Sequence, residues 1–178
     1  LSPPLSTDAF DVLLTRDLDC GDDAHWLLAS ETLLCVVAPA LLSRHEGANV
    51  GEWPFIIAQS RPDILSAWAN AQAIDTSLIH VNVVFEHYFL AISAAIGGMG
   101  YLVVPHILVA EHLRLGHLVD AGFPQVRGDA SYKAWVNPHT DKSGAARAFC
   151  RWLKGLSRER CEVQSTVSEF APKQAINH

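Results

Sequence analysis

The spacing of apolar and polar positions changes period several times along this chain, most sharply in residues 86–105. Tyr88/Phe89, Ile92, Ala95/Ile96 and Met99 recur at helical spacing, which predicts a helix buried on one face. Gly97, Gly98 and Gly100 follow, and glycine enters the left-handed backbone region cheaply, so the helix is expected to stop there. Tyr101, Leu102, Val103 and Val104 then form an unbroken apolar run that Pro105 ends. That is the pattern of a strand covered on both faces, as in parallel sheets. A helix running into a buried strand, with small residues at the joint, is suited to line a cleft for a small molecule.

The same reading covers the rest of the chain. Residues 10–15 predict a short strand ending in the polar pair Thr15 and Arg16, and acidic residues 17–23, with Gly21, predict a loop. Residues 26–38 give two apolar runs parted by Ser30, Glu31 and Thr32, read as one long strand, or two, passing from one part of the fold to another. Residues 41–53 read as a loop, and 55–58 as a strand with Gln59 and Ser60 at its carboxyl end. Arg61, Pro62 and Asp63 start a helix that carries Ile64, Leu65, Trp68 and Ala71/Gln72 on one face. A proline in the first turn with an acid beside it suits a helix start. A strand is expected at 80–85, a short helix at 107–115 stopped by Gly116, and a half-exposed strand at 131–136. Residues 143–156 predict an amphipathic helix with Ala146, Phe149, Trp152/Leu153 and Leu156 on its apolar face. From Ser157 the periodicity fades, and a loosely held polar tail is expected.

This order of elements points to a mixed α/β fold with mainly parallel strands. Strand ends at Thr15–Arg16, Gln59–Ser60 and Phe85–Glu86 each place polar groups before a loop or helix. Open α/β sheets bind ligands at the carboxyl ends of their strands, where helix starts offer backbone N–H groups. The expected site lies there.

Composition narrows the classes. The chain has 178 residues, enough for one domain or two small lobes. With 49% apolar residues, 18% charged residues and a formal net charge of −6, it lacks the clustered basic surface that grips a phosphate backbone. No apolar run approaches a membrane span. The start, Leu-Ser-Pro-Pro, has no initiator Met, basic segment or apolar core, so it reads as part of a longer cytoplasmic protein rather than a secretory precursor. Cys20, Cys35, Cys150 and Cys161 include no CxxC pair and read as reduced structural thiols. His112 and His117 stand five apart with no acidic base between them, which is not a zinc spacing. No metal or cofactor is expected. There is no G-x-S-x-G, phosphate loop or G-x-G-x-x-G motif, and the glycines at 97–100 follow a helix rather than precede one. The chain does not read as an enzyme, and no catalytic residue is assigned.

Residues 11–16, 33–42, 91–105, 113–119 and 145–153 fall in the order and spacing of a known family. Together they resemble the effector-binding domain of LysR-type transcriptional regulators, near the glycine-cleavage-activator subgroup, over roughly residues 8–156. The resemblance implies a fold like type 2 periplasmic binding proteins, two α/β lobes joined by crossing strands, with a small effector in the cleft between them. Residues 1–37 with 138–160 would form the first lobe, 38–137 the second, and 161–178 a tail. Two departures are expected: the helix-turn-helix is absent, so this chain alone should not read DNA, and the first strand–helix–strand of the first lobe is missing. The resemblance also implies a homodimer or higher homo-oligomer, with DNA contacted only through the absent domain.

The candidate ligand residues are Thr15, Arg16, Gln59, Ser60, Arg61, Phe85, Glu86 and Tyr101. Arg16 would pair with an effector carboxylate; otherwise it is a solvated cation beside Asp17 and Asp19. Ser60 is a ligand group or a helix cap. Glu86 is a ligand group, though one that repels an anion, or a residue favoured by the helix dipole. Tyr101 faces either cleft or core. A periplasmic solute-binding fragment and a pure oligomerisation module remain as alternatives, because fold does not decide function.

Overall fold

The computed structural model describes residues 10–16 and 25–168, with side chains up to Ser157. The chain divides into two compact units, Leu1–Ser30 with Ala130–His178, and Glu31–Asp129. Two long strands, β2 (His25–Val37) and β7 (Val126–Val136), carry the chain between them. The division falls inside these strands, between Ser30 and Glu31 and between Asp129 and Ala130.

In the unit Glu31–Asp129, strands lie in the order β2, β5 (Tyr101–Pro105), β3 (Pro54–Ala58), β4 (His80–Phe85), and β6 (Val119–Asp120) pairs with β2. β3 runs parallel to β4 and β5, whereas β2 is antiparallel to β5 and β6. The expectation of mainly parallel strands is thus corrected to a mixed sheet, because β2 runs against both β5 and β6. Alternate residues of each strand feed two cores. Leu33, Cys35, Val37, Phe55, Tyr101 and Val103 meet helix α2 (Asp63–Ala71) through Ile64, Leu65, Trp68 and Ala69. Leu34, Val36, Ile56, Leu102 and Val104 meet α3 (Tyr88–Ile96) through Ala91, Ile92, Ala94 and Ala95, and α4 (His106–Arg114) through Val109. Covering both faces is what turns the strands into continuous apolar runs. Each large side chain so buried, such as Phe55 or Leu102, contributes about 1.5–3 kcal/mol.

The glycine stop works as the sequence suggests. Gly98 takes φ +76°, and the next strand starts at Tyr101. Gly100 has a second reason to be glycine, since an added Cβ would overlap the Pro54 carbonyl oxygen where β5 closes on β3. One expected loop is partly helical: α1 (Pro39–Arg44) starts with proline at its first turn, where the missing N–H costs nothing, and buries Leu41.

In the unit Leu1–Ser30 with Ala130–His178, β1 (Val12–Thr15) pairs antiparallel with β7 from Val12↔Val136 to Thr15↔Lys133. Helix α5 (Ser143–Ser168) packs Ala146 and Cys150 on Val12, Trp26, Leu28, Ala134 and Val136. The predicted face is off by one position, since Phe149, Trp152 and Leu156 are exposed. The helix carries a wider apolar arc than the sheet it rests on can cover. Asp11 ties the start of β1 to the turn before α5, accepting from Thr140 Oγ1 at 2.6 Å and Lys142 Nζ at 3.1 Å. The expected tail is helical as far as Ser168; its remainder and the acidic loop at 17–23 lie outside the described residues.

Candidate functional site

The carboxyl ends of β3 and β4 are stitched together past the strands themselves. Gln59 N–H donates to Phe85 O at 2.7 Å, Ser60 N–H to Glu86 O at 3.0 Å, and Arg61 N–H turns back to Ala58 O at 3.0 Å. This sequence of bonds follows from parallel pairing, which sets Ala58 against Phe85. It brings four of the candidate residues, Gln59, Ser60, Phe85 and Glu86, to one edge of the unit. Gln59, Ser60 and Glu86 are exposed, and Phe85 is half-buried against the α3 side of the sheet. Ser60 is not a helix cap: Pro62 holds that position in α2, and no side chain bonds there. Glu86 stands before the N-cap of α3, which is His87.

Arg61 is placed differently from its neighbours. Its Nη1 and Nη2 donate to Glu31 Oε1 and Oε2 at 3.2 and 3.3 Å, and its Nε lies 3.6 Å from Asp63 Oδ1. The Arg61 side chain is 16% exposed and that of Glu31 is 0%. Its charge is therefore spent inside the protein, as a two-pronged guanidinium–carboxylate pair favours. Glu31 was the residue that the pattern missed. Its signal was present: an acid between two apolar runs of a buried strand needs a partner cation.

Tyr101 is core. It is fully buried, its ring stacks on Trp53 at 4.1 Å, and its hydroxyl lies 3.3 Å from His45 Nδ1. Burial, then the nearby Cys35 thiol, pushes its phenol up to about 12. Thr15 and Arg16 belong to the other unit, at the end of β1, where Thr15 is in register with Lys133. Both are half-buried.

The remaining chemistry is quiet among the described residues. No group of three or more His, Cys, Asp or Glu could hold a metal ion. His112 and His117 face each other at 5.8 Å between ring centroids. Cys35 and Cys150 are buried free thiols, and burial raises both above the usual thiol range. No described helix is long and apolar enough to cross a membrane. A groove of about 670 Å³ opens near the amino ends of β3 and β4, beside Val50, Ile74, Leu78 and Ile79, and none of the candidate residues lines it.

Sequence and fold each find relatives. The family described as LysR substrate binding domain matches residues 4–158. The HTH-type transcriptional regulator TrpI of Pseudomonas aeruginosa is 30% identical over 132 residues, covering 71% of this chain and 44% of that protein. The chain thus spans less than half the length of this curated relative. Among solved structures, the effector domain of the regulator AmpR of P. aeruginosa aligns with a TM-score of 0.72 at 16% identity, over 92% of this chain and 79% of that one. The AmpR effector-binding domain of Citrobacter freundii aligns with a TM-score of 0.68 at 21% identity, over 86% and 78%. This chain belongs to the LysR substrate-binding-domain family. Domains of that family are regulatory rather than enzymatic.

Proposed function

We propose that this chain is the ligand-sensing part of a cytoplasmic LysR-type transcriptional regulator, binding a small anionic effector in the cleft that the family resemblance implies. The observation that carries this reading is the edge formed by Gln59, Ser60, Phe85 and Glu86, where the ladder of β3 and β4 runs on past both strands. Such carboxyl ends are where open α/β sheets take ligands. Gln59 and Ser60 supply neutral donors there. Arg61 is committed to Glu31; the family resemblance puts Thr15 and Arg16 near the cleft, where Arg16 would pair with an effector carboxylate.

Arg16→Ala should weaken a carboxylate effector by about 1.5–3 kcal/mol, the value of a charged hydrogen bond. The melting temperature should stay nearly unchanged. Calorimetric titration with a panel of small mono- and dicarboxylates checks both, and equal affinity in the variant would remove Arg16 from the site.

DNA contact belongs to a helix-turn-helix outside this chain, so a labelled promoter fragment should not be retained by it at physiological salt. A homodimer completes the reading. β4 ends the described strand order and exposes Val81 and Val84, and α3 exposes Phe89 and Leu90 beside it. Exposed apolar strand edges and patches are association surfaces.

A further inference from the structure

We propose that Glu31 is a positioning residue for the turn Gln59–Ser60–Arg61: its buried carboxylate grips Arg61 and so fixes that turn against the strands carrying the chain between its two units. This rests on the reading of the turn as part of the effector site, and deepens it.

Three separate segments meet at this pair. Glu31 is the first residue of its unit on β2, Arg61 closes the turn after β3, and Gly128 lies on β7 just before that strand leaves the unit. Glu31 is 1% exposed, and both of its oxygens accept from Arg61. A Cβ on Gly128 would overlap the Glu31 carboxylate. Glycine there is thus the space into which the carboxylate fits, and β7 forms one wall of the seat. On the other side, Arg61 N–H bonds to Ala58 O, so anchoring the Arg61 side chain anchors a closed turn containing Gln59 and Ser60.

Stability alone does not call for such a pair. Well-packed apolar residues in place of a buried ion pair are often as stable or more so. What the pair adds is direction, since two parallel hydrogen bonds allow a guanidinium one orientation. With its charge neutralised by Glu31 and Asp63, Arg61 leaves the turn to meet a ligand through the Gln59 amide and the Ser60 hydroxyl. Recognition at this edge is then by neutral hydrogen bonds, and movement of the turn is felt directly at the two crossing strands.

Amide hydrogen exchange of the whole chain, read by peptide mass spectrometry, tests this. The N–H groups of Gln59, Ser60 and Arg61 are all bonded and so report on the turn. In Glu31→Gln they should exchange roughly tenfold or more faster, while those of β5 keep wild-type protection. Gly128→Ala, which displaces the carboxylate without touching its charge, should give the same pattern. If Glu31→Gln does not fold, Arg61→Lys replaces it, keeping the charge and losing the two-pronged grip. A turn that exchanges as in the wild type, or a loss of protection spread evenly over the unit, would overturn the proposal. Repeating the exchange with acetate and succinate separates the two readings. Slower turn exchange in the wild type, with an unmoved turn in Glu31→Gln, removes the positioning role and leaves the effector site. A loosened variant turn that neither acid slows in the wild type leaves a structural clamp without the effector role, and that too overturns the proposal.

Discussion

At the scale of single residues, the turn after β3 separates neighbours: Gln59 and Ser60 are exposed, whereas Arg61 is bound to Glu31. Gln59, Ser60 and Glu86 could be placed because strand ends are visible as a change from apolar to polar. The fate of Arg61 could not, since its partner Glu31 lies thirty positions earlier and pairing over that distance leaves no local signature. Tyr101 was ambiguous for a related reason: a tyrosine at the start of a buried strand fits a cleft or a core, and here Trp53 and His45 decide for the core. Cys35 is sealed in that core with its thiol raised by burial, and nearby Asp120 pushes in the same direction. Only the thiolate reacts, so iodoacetamide should label the Cys35 peptide slowly in the native protein and rapidly in denaturant. Fast native labelling would contradict the burial. Asp11 gives a pH prediction. Hydrogen bonds from Thr140 and then Lys142 hold its carboxyl below the usual carboxylate value of 3.8. A folded-state value below the unfolded one means stability is present above the unfolded value and is lost as pH falls through the folded one. Acid melts of wild type and Asp11→Asn should therefore differ at neutral pH and converge only as pH falls below 3.8 and through the lower folded-state value, and a constant gap across that range would refute the assignment.

Secondary-structure elements were legible where one periodicity ran long enough. α3 and β5 stand out because a 3.6-residue pattern meets a glycine stop and then a solid apolar run, and the structure places both there. α1 was missed because its six residues are too few to show a period, and its single buried residue, Leu41, looks like any loop anchor. β7 begins five residues earlier than the alternation suggests, since Gly128 breaks the pattern for the sake of the Glu31 carboxylate. α5 was found but rotated. Its apolar arc spans Ala146, Phe149, Cys150, Trp152, Leu153 and Leu156, and periodicity cannot say which part meets the sheet. The observed orientation predicts that Trp152→Ser, at an exposed site, stays within about 0.5 kcal/mol of wild type. Cys150→Asp should cost several times more by burying an acid without a partner cation. Chemical denaturation of the two variants checks this, and the reverse ranking would mean that the helix packs on its other face.

For the molecule as a whole, the family pattern conveyed more than periodicity could. Five short segments in register pointed to the LysR effector-domain fold, and family and structural likenesses bear that out. Strand direction was not so accessible. β2 and β7 each serve two compact units, so their antiparallel pairings depend on connections too distant for a local window to register. Association is the last property to follow from the whole. Among the described strands β4 has β3 on one side only, with Val81 at 40% and Val84 at 53% exposure. Phe89 and Leu90 extend this apolar edge onto the start of α3 at 65% and 41%. An edge so composed invites pairing, and natural proteins block such edges with lysine. Two-fold self-association is the commonest closed arrangement, so sedimentation velocity should find a dimer at micromolar concentration. Replacing Val84 with lysine should shift that species to the monomer with little change in melting temperature, because the side chain is already largely in solvent. A wild-type monomer at high micromolar concentration would remove the dimer, and a Val84→Lys protein that still dimerises would move the interface away from β4.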